Sequence, residues 1–171
     1  HIKKQGGAVY LEDGTFTMSG GTIKNCSAEQ GGAVYINSQS GNSTFTMTGG
    51  EIHSCFATGT FNNASLLTTP GHGGAVCLMG GQVNLQGGKI WNNYSENGDG
   101  GAIYISNGNF SMTHSSQTIT ENYPTITGNA AQKGNGGGVF VSSENGKSVE
   151  VDLLQGIITN NTASNYGGGI C

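Results

Sequence analysis

One five-residue motif returns along the whole chain. It reads Gly-Gly-Ala-Val-Tyr at Gly6–Tyr10 and Gly31–Tyr35, Gly-Gly-Ala-Val-Cys at Gly73–Cys77, Gly-Gly-Ala-Ile-Tyr at Gly100–Tyr104 and Gly-Gly-Gly-Val-Phe at Gly136–Phe140. A sixth copy begins at Gly167 and reaches Cys171. The starts are separated by 25, 42, 27, 36 and 31 residues. Repeats of this length belong to solenoids, whose units cannot bury an apolar face alone and must stack on their neighbours.

Each unit divides into three short alternating stretches. In the first, Val9 and Leu11 alternate with Tyr10, Phe16 and Met18 alternate with Thr15 and Thr17, and Ile23 follows Gly20-Gly21-Thr22. Period-two alternation sends the apolar residues to one face and the hydroxyls to the other. The pattern recurs as Val34, Ile36, Phe45, Met47 and Ile52; as Val76, Leu78, Val83, Leu85 and Ile90; as Ile103, Ile105, Phe110, Met112 and Ile126; and as Val139, Val141, Val149, Val151, Leu153 and Ile158. The expectation is an all-β, right-handed parallel β-helix with three strands per coil and about five to six coils. The chain reads as one such segment, 1–171, cut from a longer exported protein, with insertions near 58–72 and 115–123.

Composition agrees. Charged residues make up 9%, against about 25% in ordinary soluble domains, while glycine supplies 32 of 171 residues for corners with positive φ or close backbone approach. A net charge of −4 with six Lys and Arg provides no footprint for nucleic acid. No apolar run reaches the ~18–20 residues of a membrane-spanning helix, so membrane insertion of this segment is not expected.

The Gly-Gly-Ala-[Val/Ile] motif, followed by Phe-Thr-Met-Ser-Gly-Gly-Thr-Ile and by Ile-x-x-Asn-x-Ala, resembles the β-helix repeats of bacterial surface proteins. These include the chlamydial polymorphic outer membrane proteins and the repeat adhesins of gut bacteria. The resemblance implies an extracellular or cell-surface passenger segment that is adhesive or structural, with no cofactor.

Several constellations stand out. Three residues after the third-stretch Ile come Asn93, Asn129 and Asn161, an expected inward ladder of stacked amides. Cys26 and Cys55 hold the same position in the first two units. Two such rungs lie one coil apart, about 4.8 Å, inside the ~4.4–6.8 Å Cα window of a disulfide; an inter-coil staple and a buried reduced pair both fit. Cys171 shares the motif position of Cys77, three coils away, and is a candidate for a bond to a later coil. Tyr10, Tyr35, Tyr104 and Phe140 share an outward position, with Trp91 outward on the third stretch. They read as a surface aromatic stripe, for sugar rings or a partner, or as a ladder that stabilises one face. Sequons at Asn25, Asn42, Asn63, Asn109 and Asn160 are glycosylation candidates, Asn42 and Asn63 foremost; the sequon at Asn93 falls on the ladder.

Catalytic chemistry finds little support. Glu150 and Asp152 are paired carboxylates, but no other acids fall at stacked positions. Asn97-Gly98-Asp99-Gly100 does not recur as a calcium repeat would, and His53, His72 and His114 lack metal-ligand spacing. The reading is a non-enzymatic structural or adhesive segment of a secreted or surface protein, which can stack end to end into a filament. Its partners would be its own continuing chain or neighbouring copies at the open ends, and host or glycan surfaces. The alternative is a carbohydrate-active β-helix lyase or hydrolase.

Overall fold

A computed structural model describes residues 3–61, 66–114, 122–143 and 148–171. Among them the chain is all β. It winds as a parallel β-helix of about five coils, each strand paired in register with its counterpart one turn away. The first wall stacks Val9–Leu11, Val34–Ile36, Val76–Leu78, Ile103–Ile105 and Val139–Val141. The second stacks Thr15–Met18, Thr44–Met47, Gln82–Leu85, Gly108–Met112 and Val149–Leu153. The third stacks Thr22–Lys24, Glu51–His53, Lys89–Trp91, Thr125–Thr127 and Ile157–Thr159.

The three-strand expectation is corrected by a fourth, shorter wall: Lys3–Gln5, Ser27–Gln30, Phe56–Ala57, Tyr94–Ser95, Ala130–Ala131 and Thr162–Ala163. It forms because the residue two after the third-wall Ile turns left-handed in every coil, at Asn25, Ser54, Asn92, Gly128 and Asn160. The chain then runs extended again over small inward residues, Ala28, Ala57, Ser95 and Ala131, all buried.

The core follows the alternation. Val34, Ile36, Phe45, Met47 and Ile52 are fully buried in the second coil, as are Val76, Leu78 and Val83 in the third. Thr15 and Thr17 face outward and are exposed. Like stacks on like: Phe16 lies on Phe45 with ring centroids 5.2 Å apart, and Ile23, Ile52, Ile90, Ile126 and Ile158 form one column. The end coils have a neighbour on one side, so Val9, Leu11, Phe16 and Ile23 are only partly buried at one end, and Val149, Val151 and Ile158 at the other.

Each motif glycine pair meets two separate demands. The first glycine, Gly6, Gly31, Gly73, Gly100, Gly136 and Gly167, has φ between 61 and 70°, the left-handed region where a Cβ is disfavoured. The second lies against the backbone of the next coil; a Cβ on Gly74 would sit 2.1 Å from the Gly101 carbonyl oxygen.

The first insertion leaves this frame. It forms a small antiparallel pair, Thr60–Phe61 with Leu67–Thr69. The second is described only from Asn122 onward. Asn63 lies outside the described residues.

Candidate functional site

The repeated polar positions build two hydrogen-bond ladders. In the inner one, Asn161 Oδ1 accepts from the Asn129 backbone N–H at 2.9 Å and from its Nδ2 at 2.9 Å. Asn129 Oδ1 accepts from Asn93 N–H and Nδ2 at 2.9 and 3.0 Å, and Asn93 Oδ1 from Cys55 N–H at 2.9 Å. The spare amide protons go to third-wall carbonyls, Asn93 to Ile52 and Asn129 to Ile90. The two buried rungs, Asn93 and Asn129, are thereby satisfied away from water, as a buried amide requires.

The next two rungs are Cys55 and Cys26. Their flanks pair in register, Lys24 with His53 and Ser27 with Phe56, so the thiols lie on adjacent coils. Each donates to the carbonyl two residues back, Cys26 to Lys24 at 3.4 Å and Cys55 to His53 at 3.3 Å. Burial, with Cys26 alongside, pushes the Cys55 thiol up to about 11. All four cysteines stand as thiols, with Cys171 exposed.

An outer ladder carries no repeated residue type and was missed from sequence. At the residue preceding each glycine pair, His72 Nδ1 accepts from the Asp99 N–H at 3.0 Å. Asp99 Oδ1 accepts from Asn135 N–H and Nδ2, both at 2.8 Å, and Asn135 Oδ1 from Tyr166 N–H at 3.3 Å. The approach of Asp99 Oδ2 to His72 Nδ1 at 3.7 Å is not an ion pair, since that nitrogen already serves as an acceptor. The position is legible as "the residue before Gly-Gly", although its chemistry is not.

The aromatic positions fall on one line of the first wall, Tyr10, Tyr35, Cys77, Tyr104 and Phe140 in register, but they are not a surface stripe. Tyr35 and Tyr104 are 4% and 3% exposed and Cys77 is fully buried. Met79 and Phe140 pack against the group, and the His72 ring lies 4.1 Å from that of Tyr104, beside the small Cys77. Stacking uses the ring faces as well: Tyr10–Tyr35 at 5.7 Å and Tyr104–Phe140 at 5.6 Å. Tyr10 remains exposed. Burial drives the Tyr35 hydroxyl and the Cys77 thiol upward.

Trp91 belongs to a different surface, the outer face of the third wall. It stacks on His53 at 4.4 Å, with the Lys89 ammonium 5.2 Å from its ring centroid. Around the corner, Phe56 stacks on Tyr94 at 5.0 Å. At the other edge of this wall a groove of about 490 Å³ has Gly50 and Gly88 in its floor and Glu51, Lys89, Tyr123 and Asn122 around it. Asn122 Oδ1 accepts from the Gly88 N–H at 3.3 Å, tying the end of the second insertion to the wall.

Asn25, Asn42, Asn109 and Asn160 are exposed, and Asn93 is buried. Glu150 and Asp152 are exposed and stack on Asn109 and Ser111, not on other acids.

A solenoid of stacked coils, held by an inner amide ladder and paired corner glycines, is the class these features define. Residues 155–171 match the model of a Chlamydia polymorphic membrane protein repeat. No curated protein and no solved structure gives a significant match to the chain. The matched stretch holds the core Ile158, the left-handed Asn160, the ladder residue Asn161 and the Gly167-Gly168 corner. Those are the positions that register carries through the preceding coils.

Proposed function

We propose that this chain is a non-enzymatic structural and adhesive segment of a secreted or cell-surface repeat protein, acting through its walls and ends. One observation carries the reading: the positions repeated from coil to coil hold core residues, turn glycines, ladder amides and outward hydroxyls, and no acid or histidine recurs among them. Catalysis needs convergent titratable groups, and on a solenoid these would stack on neighbouring coils; the carboxylates of Glu150 and Asp152 meet Asn109 and Ser111 instead, and the stacked His72 and Asp99 spend Nδ1 and Oδ1 on backbone N–H groups of the outer ladder. The similarity of the last coil to a Chlamydia polymorphic membrane protein repeat supports the surface location.

The ends supply the partner surface. The last coil exposes Leu154, Ile157, Tyr166 and Ile170, and a hollow of about 300 Å³ opens between Met112, Leu153 and Ile170. Unpaired strand edges with apolar residues beside them bind further polypeptide, from the same chain or from a neighbouring copy stacked as a filament. In an oxidising compartment, Cys26 and Cys55 join as a staple across the first two coils.

Residues 1–171, purified and concentrated, are expected to associate through their ends, seen as growing mass in sedimentation, and to leave polysaccharides uncut. A chain that stays monomeric at high concentration removes the end-pairing part. Depolymerisation of a polysaccharide removes the non-enzymatic part.

A further inference from the structure

The outward rings of the third and fourth walls stop at the third coil. Tyr94 lies on Phe56 with an interplanar angle of 3°, and the two are register partners on adjacent coils, so the ring planes lie across the coil axis. Each gives one face to the other. On the far side of Tyr94 the register partner is Ala130, and on the far side of Trp91 it is Thr127. The corner between those two is Gly128, where an added Cβ would meet only the Asn92 backbone nitrogen, at 4.0 Å, and where the neighbouring coils carry the side chains of Asn92 and Asn160.

The fourth coil therefore leaves a slot one coil high, about 4.8 Å. Its roof is the far face of Tyr94, its back is Ala130 and Gly128 at the level of the missing rung, and the fifth-coil residues Thr159, Asn160 and Thr162, all exposed, bound its other side. Lys89 already occupies the neighbourhood of the Trp91 ring, which leaves Tyr94 as the free platform.

We propose that this slot binds one pyranose ring of a neutral glycan, stacked on Tyr94 as the next rung of the aromatic ladder. The height matches the thickness of a sugar ring, whose C–H face suits an aromatic plane. The rim offers hydroxyls and amides, the groups that pair with sugar hydroxyls, beside a single apolar platform. A protein side-chain anchor would want a pocket with apolar walls on all sides, which Thr127, Thr159 and Thr162 do not make. Neutral sugars are favoured over anionic ones because the slot residues carry no cation, and Glu96 acts electrostatically on Tyr94 from nearby. The site needs no turnover and does not depend on how the coil ends are covered.

The test titrates the whole chain with triacetylchitotriose and cellotriose, with sialyllactose and a proline-rich peptide as comparison probes, read by NMR of the aromatic side chains. The neutral trisaccharides are expected to shift the Tyr94 ring signals saturably, and Tyr94→Ala to weaken binding by at least about tenfold. Ala130→Phe places a protein ring in the slot. It is expected to abolish binding while keeping or raising the unfolding temperature, so that loss of binding is separated from loss of fold. The proposal is overturned if neither neutral trisaccharide moves Tyr94, if only sialyllactose or the peptide does, or if folded Ala130→Phe binds as tightly as the parent.

Discussion

A methyl group added at Gly74 would lie 2.1 Å from the Gly101 carbonyl oxygen and 2.5 Å from the Tyr94 carbonyl carbon. Both atoms are backbone, so no side chain can swing away to make room. Gly74→Ala is accordingly expected to cost more than about 3 kcal/mol, the range of severe core strain. Gly20→Ala, where nothing lies within 4 Å, should change the urea midpoint little; equal effects at the two sites would refute the close-approach argument. The buried thiols give a pH signature at the same scale. Cys55 has its folded-state value raised to about 11 from an ordinary 9.0, so the folded state favours the protonated form. Its contribution to stability is therefore full below about pH 9 and is lost as pH rises through about 11. Iodoacetamide at pH 8 should label the exposed Cys171 well before Cys55, and mass mapping of the adducts reads the order. Faster labelling of Cys55 would mean that the second coil opens locally.

Asn129 sits between two other amides, accepting from Asn93 and donating to Asn161 and to the Ile90 carbonyl. Asn129→Ala leaves the buried Asn93 N–H without its acceptor in a dry interior, and the expected loss is about 2–4 kcal/mol by thermal or urea unfolding; a loss below about 1 kcal/mol would show that the ladder is not a structural element. The inner ladder and the first three walls were legible in the sequence because each demands one kind of residue. A narrow stacked core accepts Val, Ile, Leu, Phe or Met at period two, and an amide is the side chain that can accept and donate along a column of rungs. The fourth wall is not legible as a wall because its strands are mostly two residues long and turn on single left-handed residues such as Ser54 and Asn92. The outer ladder stayed hidden for a related reason. Any short acceptor can take the next coil's N–H, so His72, Asp99 and Asn135 perform one task with three chemistries. Burial of Tyr35 and Tyr104 was out of reach too, since it depends on His72 and Met79, whose packing no repeat encodes.

Coils touch only their neighbours, so the stability of the whole molecule is close to a sum of coil and interface terms, and a coil at an end has one interface where a middle coil has two. Burial records this directly. Phe110 is 1% exposed, whereas Phe16, in the first coil, is only partly buried; Leu153 of the fifth coil is 46% exposed, whereas its register partner Met112 is 1% exposed. Phe110→Ala should thus cost about 3–5 kcal/mol and Phe16→Ala distinctly less. Amide exchange should show the same gradient, slowest around Val76, Leu85 and Ile90 and fastest across Val149–Leu153 and Ile157–Thr159. The gradient also reports on the ends. If a second copy covers the last coil, raising the protein concentration shifts the equilibrium toward the covered state by mass action. Amides of the fifth coil should then gain protection while those of the third stay unchanged. Protection that is uniform along the chain would mean that the coils unfold as one unit, and a concentration-independent fifth coil would leave the end face to further coils of its own chain.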